Sequence, residues 1–383
     1  MTLPLYAYSF AEDFVLLYPV YALLFAAHGL SVTQISSLFV VWSAVGFLAE
    51  VPSGALADIA PRRYLLAAAP VMTGTAFALW LLLPGYPAFA AGFVLWGLAG
   101  SLTSGTVEAL VHTELSRRDA QDRYASVMGR ARALGVGATG AATLAAVPVM
   151  SWGGYPAVAT ASVAACALCC AAALMLPENR TATTQEPTDD DESYVAVLRI
   201  GLAEVRTDRE ILRTVALVIV VASFWGVLDE YVPLLLADAS VAPATIPVVL
   251  ALVWAGVSVG GLVAGAAAAL PAVGFGSLVA LAGIAIGCGA LVHGPLGWTC
   301  LGVGFGICQA ATVIADARLQ ARISSASRAT VTSIAGLGTD VATTATYPIY
   351  ALVCAVSSHS TAFVAFAVPY VLIGGVVVLT RFE

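Results

Sequence analysis

Charge is what this sequence has least of. Only 10% of its 383 residues are Asp, Glu, Lys or Arg, and all 16 basic residues are arginine, so lysine is absent. A soluble protein of this length could not cover its surface with so few charges. Histidine is scarce as well: the 4 that occur, His28, His112, His293 and His359, lie near the edges of apolar runs. Any proton relay must then rest on carboxylates. The 7 cysteines fall inside apolar segments, and the one C-x-x-C spacing, Cys166 to Cys169, has no second ligand pair near it. They read as small packing residues, so no metal or other cofactor is expected. No phosphate-binding G-x-x-x-x-G-K-[ST] loop and no H-E-x-x-H helix occurs, and G-x-S-x-G has no strand-turn-helix setting, so neither an ATP-driven pump nor an enzyme is expected. A net charge of -7 with scattered arginines gives no nucleic-acid footprint.

What the chain does have is apolar length. It is 60% hydrophobic, its mean hydropathy is +0.93, and continuous apolar runs recur from end to end. A helix needs about 20 apolar residues to cross the hydrocarbon core, where only helices and closed barrels satisfy their backbone groups. The runs lack the two-residue alternation of a barrel strand. The first run has no basic n-region and is longer than a signal-peptide core, so it is expected to be retained as a span. Reading to Gly, Pro and charge boundaries gives twelve spans: 4–28, 34–57, 65–83, 88–111, 125–150, 153–176, 211–236, 244–269, 272–292, 296–317, 329–356 and 359–380. The fold class is therefore an all-α integral membrane protein with twelve transmembrane helices.

The arginines test this count, because cytoplasmic segments carry the positive charge. With twelve spans, all sixteen fall at one side of the membrane, including Arg62, Arg63, Arg123 and Arg328. Both termini are then cytoplasmic. The lysine-free, Ala-, Arg- and Gly-rich composition suits a bacterial inner (plasma) membrane.

Residues 177–210 form the one long polar interval, between an N-terminal half at 1–176 and a C-terminal half at 211–383. It opens as a solvated acidic linker, and from Ser193 an apolar face formed by Val195, Leu198, Leu202 and Val205 predicts a helix lying on the membrane surface. Two weak internal matches support duplicated halves: the segments from Arg123 and Arg328 lie 205 positions apart, and those from Val41 and Val253 lie 212 apart.

Between spans 2 and 3 stands "GALADIAPRR", from Gly54 to Arg63. Its Gly54, Leu56, Asp58, Arg62 and Arg63 match the spacing of G-x-L-x-D-R-x-G-R-R/K, with Ile59 and Pro61 departing from it. In this the chain resembles the major facilitator superfamily, and the twelve spans, half repeat and central loop extend the resemblance to its whole length. The residue types have local reasons too: Gly54 allows close helix approach, Pro61 ends a helix, and Asp58 can pair with Arg62 or face a helix N-terminus. The resemblance implies that Asp58 meets the start of span 11 near Arg328. It also implies that Arg62 reaches an acid at the end of span 4, Glu108 or Glu114, as a cytoplasmic latch between halves. The corresponding hairpin between spans 8 and 9, "AGAAAALPAVG", has no charge, so such a latch is one-sided. Glu50, a turn before Gly54, has no evident role.

Carboxylates inside a bilayer are expensive and mark function by default. Glu12 and Asp13 lie well inside span 1, Asp229 and Glu230 in the outer half of span 7, and Asp340 deep in span 11. The resemblance implies that spans 1, 4, 7 and 10 line the substrate path. Neighbouring residues point about 100° apart on a helix, so one acid of each pair faces it; Glu12 shares a face with Tyr8, and Asp229 with Trp225. A carboxylate beside an aromatic ring can hold an organic cation or a proton. The alternative is local pairing, or capping of helix breaks near Pro19 and Pro233. No basic residue reaches mid-membrane depth, which disfavours anions.

The expectation is a secondary transporter, monomeric in the bilayer, that moves a small organic molecule by alternating access with proton coupling. Export of drug-like or cationic compounds is preferred. A proton-coupled uptake permease is the close alternative, and a non-transporting membrane sensor or binding protein is the alternative from another class.

Overall fold

A computed structural model describes residues 1–178, 208–323 and 328–380, apart from the side chains of Asp58 and Ala329. The expected surface helix after Ser193, the acidic linker and Arg180, Arg199, Arg206 and Arg381 lie outside the described residues. Contacts divide the chain into two compact units, Met1–Thr184 with Val241–Val248, and Gln185–Ser240 with Val249–Glu383.

The first unit contains α1 (Thr2–Asp13), α2 (Tyr21–Ala27), α3 (Val32–Ile59), α4 (Arg62–Leu82), α5 (Tyr86–Thr103), α6 (Thr106–Ser116) and α7 (Tyr124–Leu174). Six spans emerge once three features are recognised. Span 1 is not the continuous helix expected over 4–28, because it breaks between α1 and α2. Pro19 lies in that break, where it lacks an N–H and its ring would strike the carbonyl four residues back. Span 4 is likewise split, with Gly105 at φ 68° between α5 and α6, and it ends at Ser116 instead of 111. Conversely α7 holds two spans, which the expected turn separates at Gly154, φ 60°.

The second unit contains α8 (Arg209–Asp238), α9 (Ile246–Ala267), α10 (Ala272–Leu291), α11 (Pro295–Arg322), α12 (Arg328–Val356) and α13 (His359–Thr380). Asp208 starts α8 by accepting hydrogen bonds from the Glu210 and Ile211 N–H groups. Pro233 sits inside α8 without ending it. Among the described residues, nine helical segments are long and apolar enough to cross a membrane. They become twelve spans when α7 is counted twice and the broken span 1 and the Asp340-bearing α12 are added. Small residues set the packing: a Cβ on Gly260 of α9 would strike the Gly306 carbonyl of α11, and one on Gly276 of α10 would strike that of Gly374 on α13. Such close approach is the usual means of packing helices where lipid supplies no hydrophobic drive.

Candidate functional site

The broken span 1 positions the first pair of acids. Glu12 and Asp13 are not mid-helix residues, as the continuous reading implied, but end α1 just before the irregular segment. The Tyr8 hydroxyl, one turn earlier on the same face, donates to Glu12 Oε1 at 3.1 Å. Asp13 lies against α7, where a Cβ on Gly135 would collide with its carboxylate. The missing side chain at Gly135 thus makes room for this charge.

The break leaves backbone groups to be satisfied inside the bundle. Leu17 N–H donates to Ser162 Oγ at 3.0 Å, with both residues fully buried. The second unit repeats the device. On α13 the Tyr370 hydroxyl accepts from the Trp225 N–H at 2.9 Å and donates to the Val221 carbonyl at 3.1 Å, inserting into the α8 ladder. From 17 to 225 and from 162 to 370 the shift is the same 208 positions. Spans 1 and 7 are therefore held at equivalent points by hydroxyls from spans 6 and 12.

Three cavities follow one another through the first unit. One of about 510 Å³ is lined by Arg62, Glu108, His112 and Tyr124. It shares Gly105 and Glu108 with a cavity of about 280 Å³ that reaches Ser9, Glu12, Asp13 and Arg132. That one shares Glu12 and Thr103 with a third of about 80 Å³, lined also by Tyr18, Thr73 and Trp96. Glu108 pairs with Arg132 at 3.4 Å. Other aromatics of span 1 stack on one another or on neighbouring spans: Phe10, itself exposed, stacks on Phe14, and the buried Tyr21 and Phe25 join Trp80 and Phe93.

The hairpin between spans 2 and 3 is built differently from its expectation. Arg62 donates through Nη1 to the Ala109 carbonyl and to Thr113 Oγ1, both at 3.1 Å, and its Nε is buried without a partner among the described residues. Glu114 is buried and pairs with Arg117 and Arg118 at 3.8 and 3.6 Å. Arg63 lies over its neighbour Tyr64. A Cβ on Gly54 would meet nothing within 4 Å, so close approach is not its role within this unit. Arg123 closes a short 3₁₀ turn and is exposed. The expected approach of Asp58 to the Arg328 end of span 11 falls on a side chain outside the described residues.

Two residues at this end escaped the sequence reading. Glu178, just past span 6, accepts from the Arg62 and Arg63 N–H groups at 2.7 and 3.0 Å, capping the N-terminus of α4. An acid beside a proline directly after a span was the available signal. Ser104, at the break in span 4, donates to Glu50 Oε1 at 3.0 Å, which gives Glu50 its partner.

In the second unit Asp229 Oδ1 is buried with no hydrogen-bond partner among the described residues. It lies one turn beyond Trp225, whose Nε1 donates to Thr312 Oγ1 at 3.2 Å. Glu230 is half-buried beside it, and Asp340 is exposed on α12. The uncharged hairpin between α9 and α10 is tied down from span 10: Arg318 donates to the Leu270 carbonyl at 2.6 Å and lies 4.4 Å from the Phe275 ring centre. Away from these acids, His359 Nδ1 meets the Tyr350 hydroxyl at 2.7 Å, joining α12 to α13.

A family model described as Major Facilitator Superfamily matches residues 5–317. No curated protein matches the chain at a significant level. Solved structures share its fold. The nucleoside transporter NupG superposes with a TM-score of 0.81 at 13% identity, over 100% of this chain and 99% of its own. A POT family transporter in complex with a thioalcohol-conjugated peptide gives 0.71 at 13% identity, over 99% and 95%. A bacterial homolog to the human lysosomal transporter Spinster, inward-facing and unoccupied, gives 0.71 at 15% identity, over 100% and 94%. At these identities the likeness is one of fold.

Proposed function

The chain belongs to the major facilitator superfamily and is a multi-pass membrane transporter, and from that premise we propose that it exchanges a small organic cation for protons by alternating access. The observation that carries this reading is Asp229, whose buried Oδ1 has no partner among the described residues. An orphaned carboxylate in a span is costly and is kept where it works. Either a proton or a cationic substrate neutralises it, and because one excludes the other their fluxes are coupled. The acids that end α1, Glu12 and Asp13, supply the equivalent charge in the other unit. The proposal places the arginine-rich ends and both termini in the cytoplasm of a bacterial inner membrane, with export as the working direction.

Proteoliposomes carrying an imposed proton gradient and a pH-sensitive dye in the lumen test it. Addition of a transported cation should shift luminal pH in wild type and leave it unchanged in Asp229→Asn. Normal coupling in Asp229→Asn removes that residue from the exchange, and uptake driven by the same gradient reverses the direction.

A further inference from the structure

The first unit contains a half-open pocket at the break in span 1, and its chemistry narrows the cargo. We propose that the cavity of about 80 Å³ beside the break in span 1 is a pocket for a small primary ammonium head group, held by Glu12, Tyr18 and Thr73. This rests on the reading of the chain as a cation transporter and adds a second acid, besides Asp229, at which the charged end of the cation can sit.

Four spans build the pocket. Glu12 comes from the end of α1 and Tyr18 from the irregular segment that follows it, Thr73 from α4, Trp96 and Thr103 from α5, and Cys166 and Cys169 from the second span of α7. Its oxygens are under-used. Glu12 receives one hydrogen bond, from Tyr8 to Oε1. Among the described residues the Tyr18 and Thr73 hydroxyls make none. A carboxylate oxygen, a phenol oxygen and a threonine oxygen thus line one small space, and a primary ammonium brings three N–H donors.

No basic side chain lines the pocket, so a cation entering it meets one carboxylate and no like charge. Tyr18 is itself fixed, stacked on Trp96 with ring centres 5.4 Å apart and planes within 10°. A stiff hydroxyl costs little entropy to use.

Size sets the second limit. At about 80 Å³ the pocket suits an ammonium with one or two carbons better than a bulkier quaternary group, which also lacks N–H donors. The adjoining cavity of about 280 Å³, which shares Glu12 and Thr103, has room for the rest of a larger amine. Glu12 stands on the wall between them, so a primary amine can place its nitrogen at the carboxylate and its body on the other side. The competing occupant is a few waters bridging the same oxygens, for which the volume is also sufficient.

The test uses the purified full-length chain in lipid nanodiscs, with methylammonium, ethylammonium and tetramethylammonium chlorides as probes and thermal stability as readout. Methylammonium and ethylammonium should raise the unfolding midpoint saturably, as ligands of the folded state do, while tetramethylammonium at equal ionic strength should not. Glu12→Gln should weaken the response about tenfold or more, the size expected for losing a charge-assisted bond. Thr73→Val should weaken it less, and Ser258→Ala, on an exposed face of α9, should leave it unchanged. Equal responses to all three salts, or an undiminished response in Glu12→Gln, overturn the pocket in favour of water alone. The size ranking in wild type does not depend on any variant folding. Binding with these properties but no proton exchange in liposomes sinks the transport reading and leaves the pocket. Exchange of amines without such binding does the reverse.

Discussion

Replacing Ser162 with alanine removes the acceptor of the buried Leu17 N–H and asks how much of span 1 is held by that one bond. The distance is 3.0 Å and both residues are fully buried, so no bulk water can substitute. A buried amide left without a partner costs about 1–3 kcal/mol, while interhelical hydrogen bonds in membrane proteins average about 0.6 and reach about 1.7 kcal/mol. The higher end applies here, because the segment around Pro19 cannot rejoin the helix and offers Leu17 no other acceptor. The second bond of Ser162, to the Val158 carbonyl of its own helix, counts for little. The expected loss is therefore about 1–2 kcal/mol, read as a lowered midpoint for unfolding of the purified protein in mixed micelles. Ser162→Thr, which keeps the hydroxyl, should recover most of it. Tyr370→Phe supplies the contrast: it deletes two hydrogen bonds, yet the freed Trp225 N–H and Val221 carbonyl stand four residues apart and can bond each other in a healed helix. It should cost less than Ser162→Ala while straightening α8. A Ser162→Ala loss under about 0.5 kcal/mol, or a larger loss in Tyr370→Phe, would refute the reasoning.

Other expectations follow from single contacts. Glu178→Gln keeps one acceptor for the α4 N-terminus but loses the charge, and should lower stability by about 1 kcal/mol, less in high salt, as seen in unfolding midpoints at two ionic strengths. Gly135→Ala should displace the Asp13 carboxylate, which can swing aside, so folding is retained while the pH dependence of transport in proteoliposomes shifts. Arg318→Met keeps apolar contact with Phe275 but loses the bond to the Leu270 carbonyl; about 1–3 kcal/mol of stability should go, read as a lowered unfolding midpoint of the purified protein.

The twelve spans were legible because each is a local property: length, lack of charge, and turns marked by Pro84-Gly85 or Gly153-Gly154. The acids of spans 1 and 7 were legible because charge is rare there. What the sequence hid is what those spans need from elsewhere. The break in span 1 had a local cue in Pro19, but its stabilising partner is 145 residues away, as is the partner of Trp225 in span 7, and no periodicity points across that distance. Glu178 was read as the start of a linker because its use, capping a helix that begins 116 positions earlier, is tertiary. Arg62 was expected on a carboxylate and instead meets a carbonyl and a hydroxyl, since the nearby acids are taken by Arg117, Arg118 and Arg132.

The two units repeat roles more faithfully than residues. Serine and leucine at the break in span 1 answer to tyrosine and tryptophan on the continuous α8, so aligning the halves by residue type finds only faint matches, yet the bond they make is the same one shifted by 208 positions. The hairpins show the same logic with the arginine moved. In the first unit Arg62 reaches from the hairpin to a carbonyl of span 4; in the second Arg318 reaches from span 10 to a carbonyl of the hairpin. A hydrogen bond needs a donor, an acceptor and a distance, and either side can supply either part. The spans so held are also those that carry the acids: Asp13 ends the helix that breaks after it, and Asp229 lies one turn past the Trp225 N–H. On the function proposed above, loading a cation or a proton at these carboxylates would act within a turn of the points where spans 1 and 7 are held by one hydroxyl each, the places where bending a span disrupts the fewest bonds.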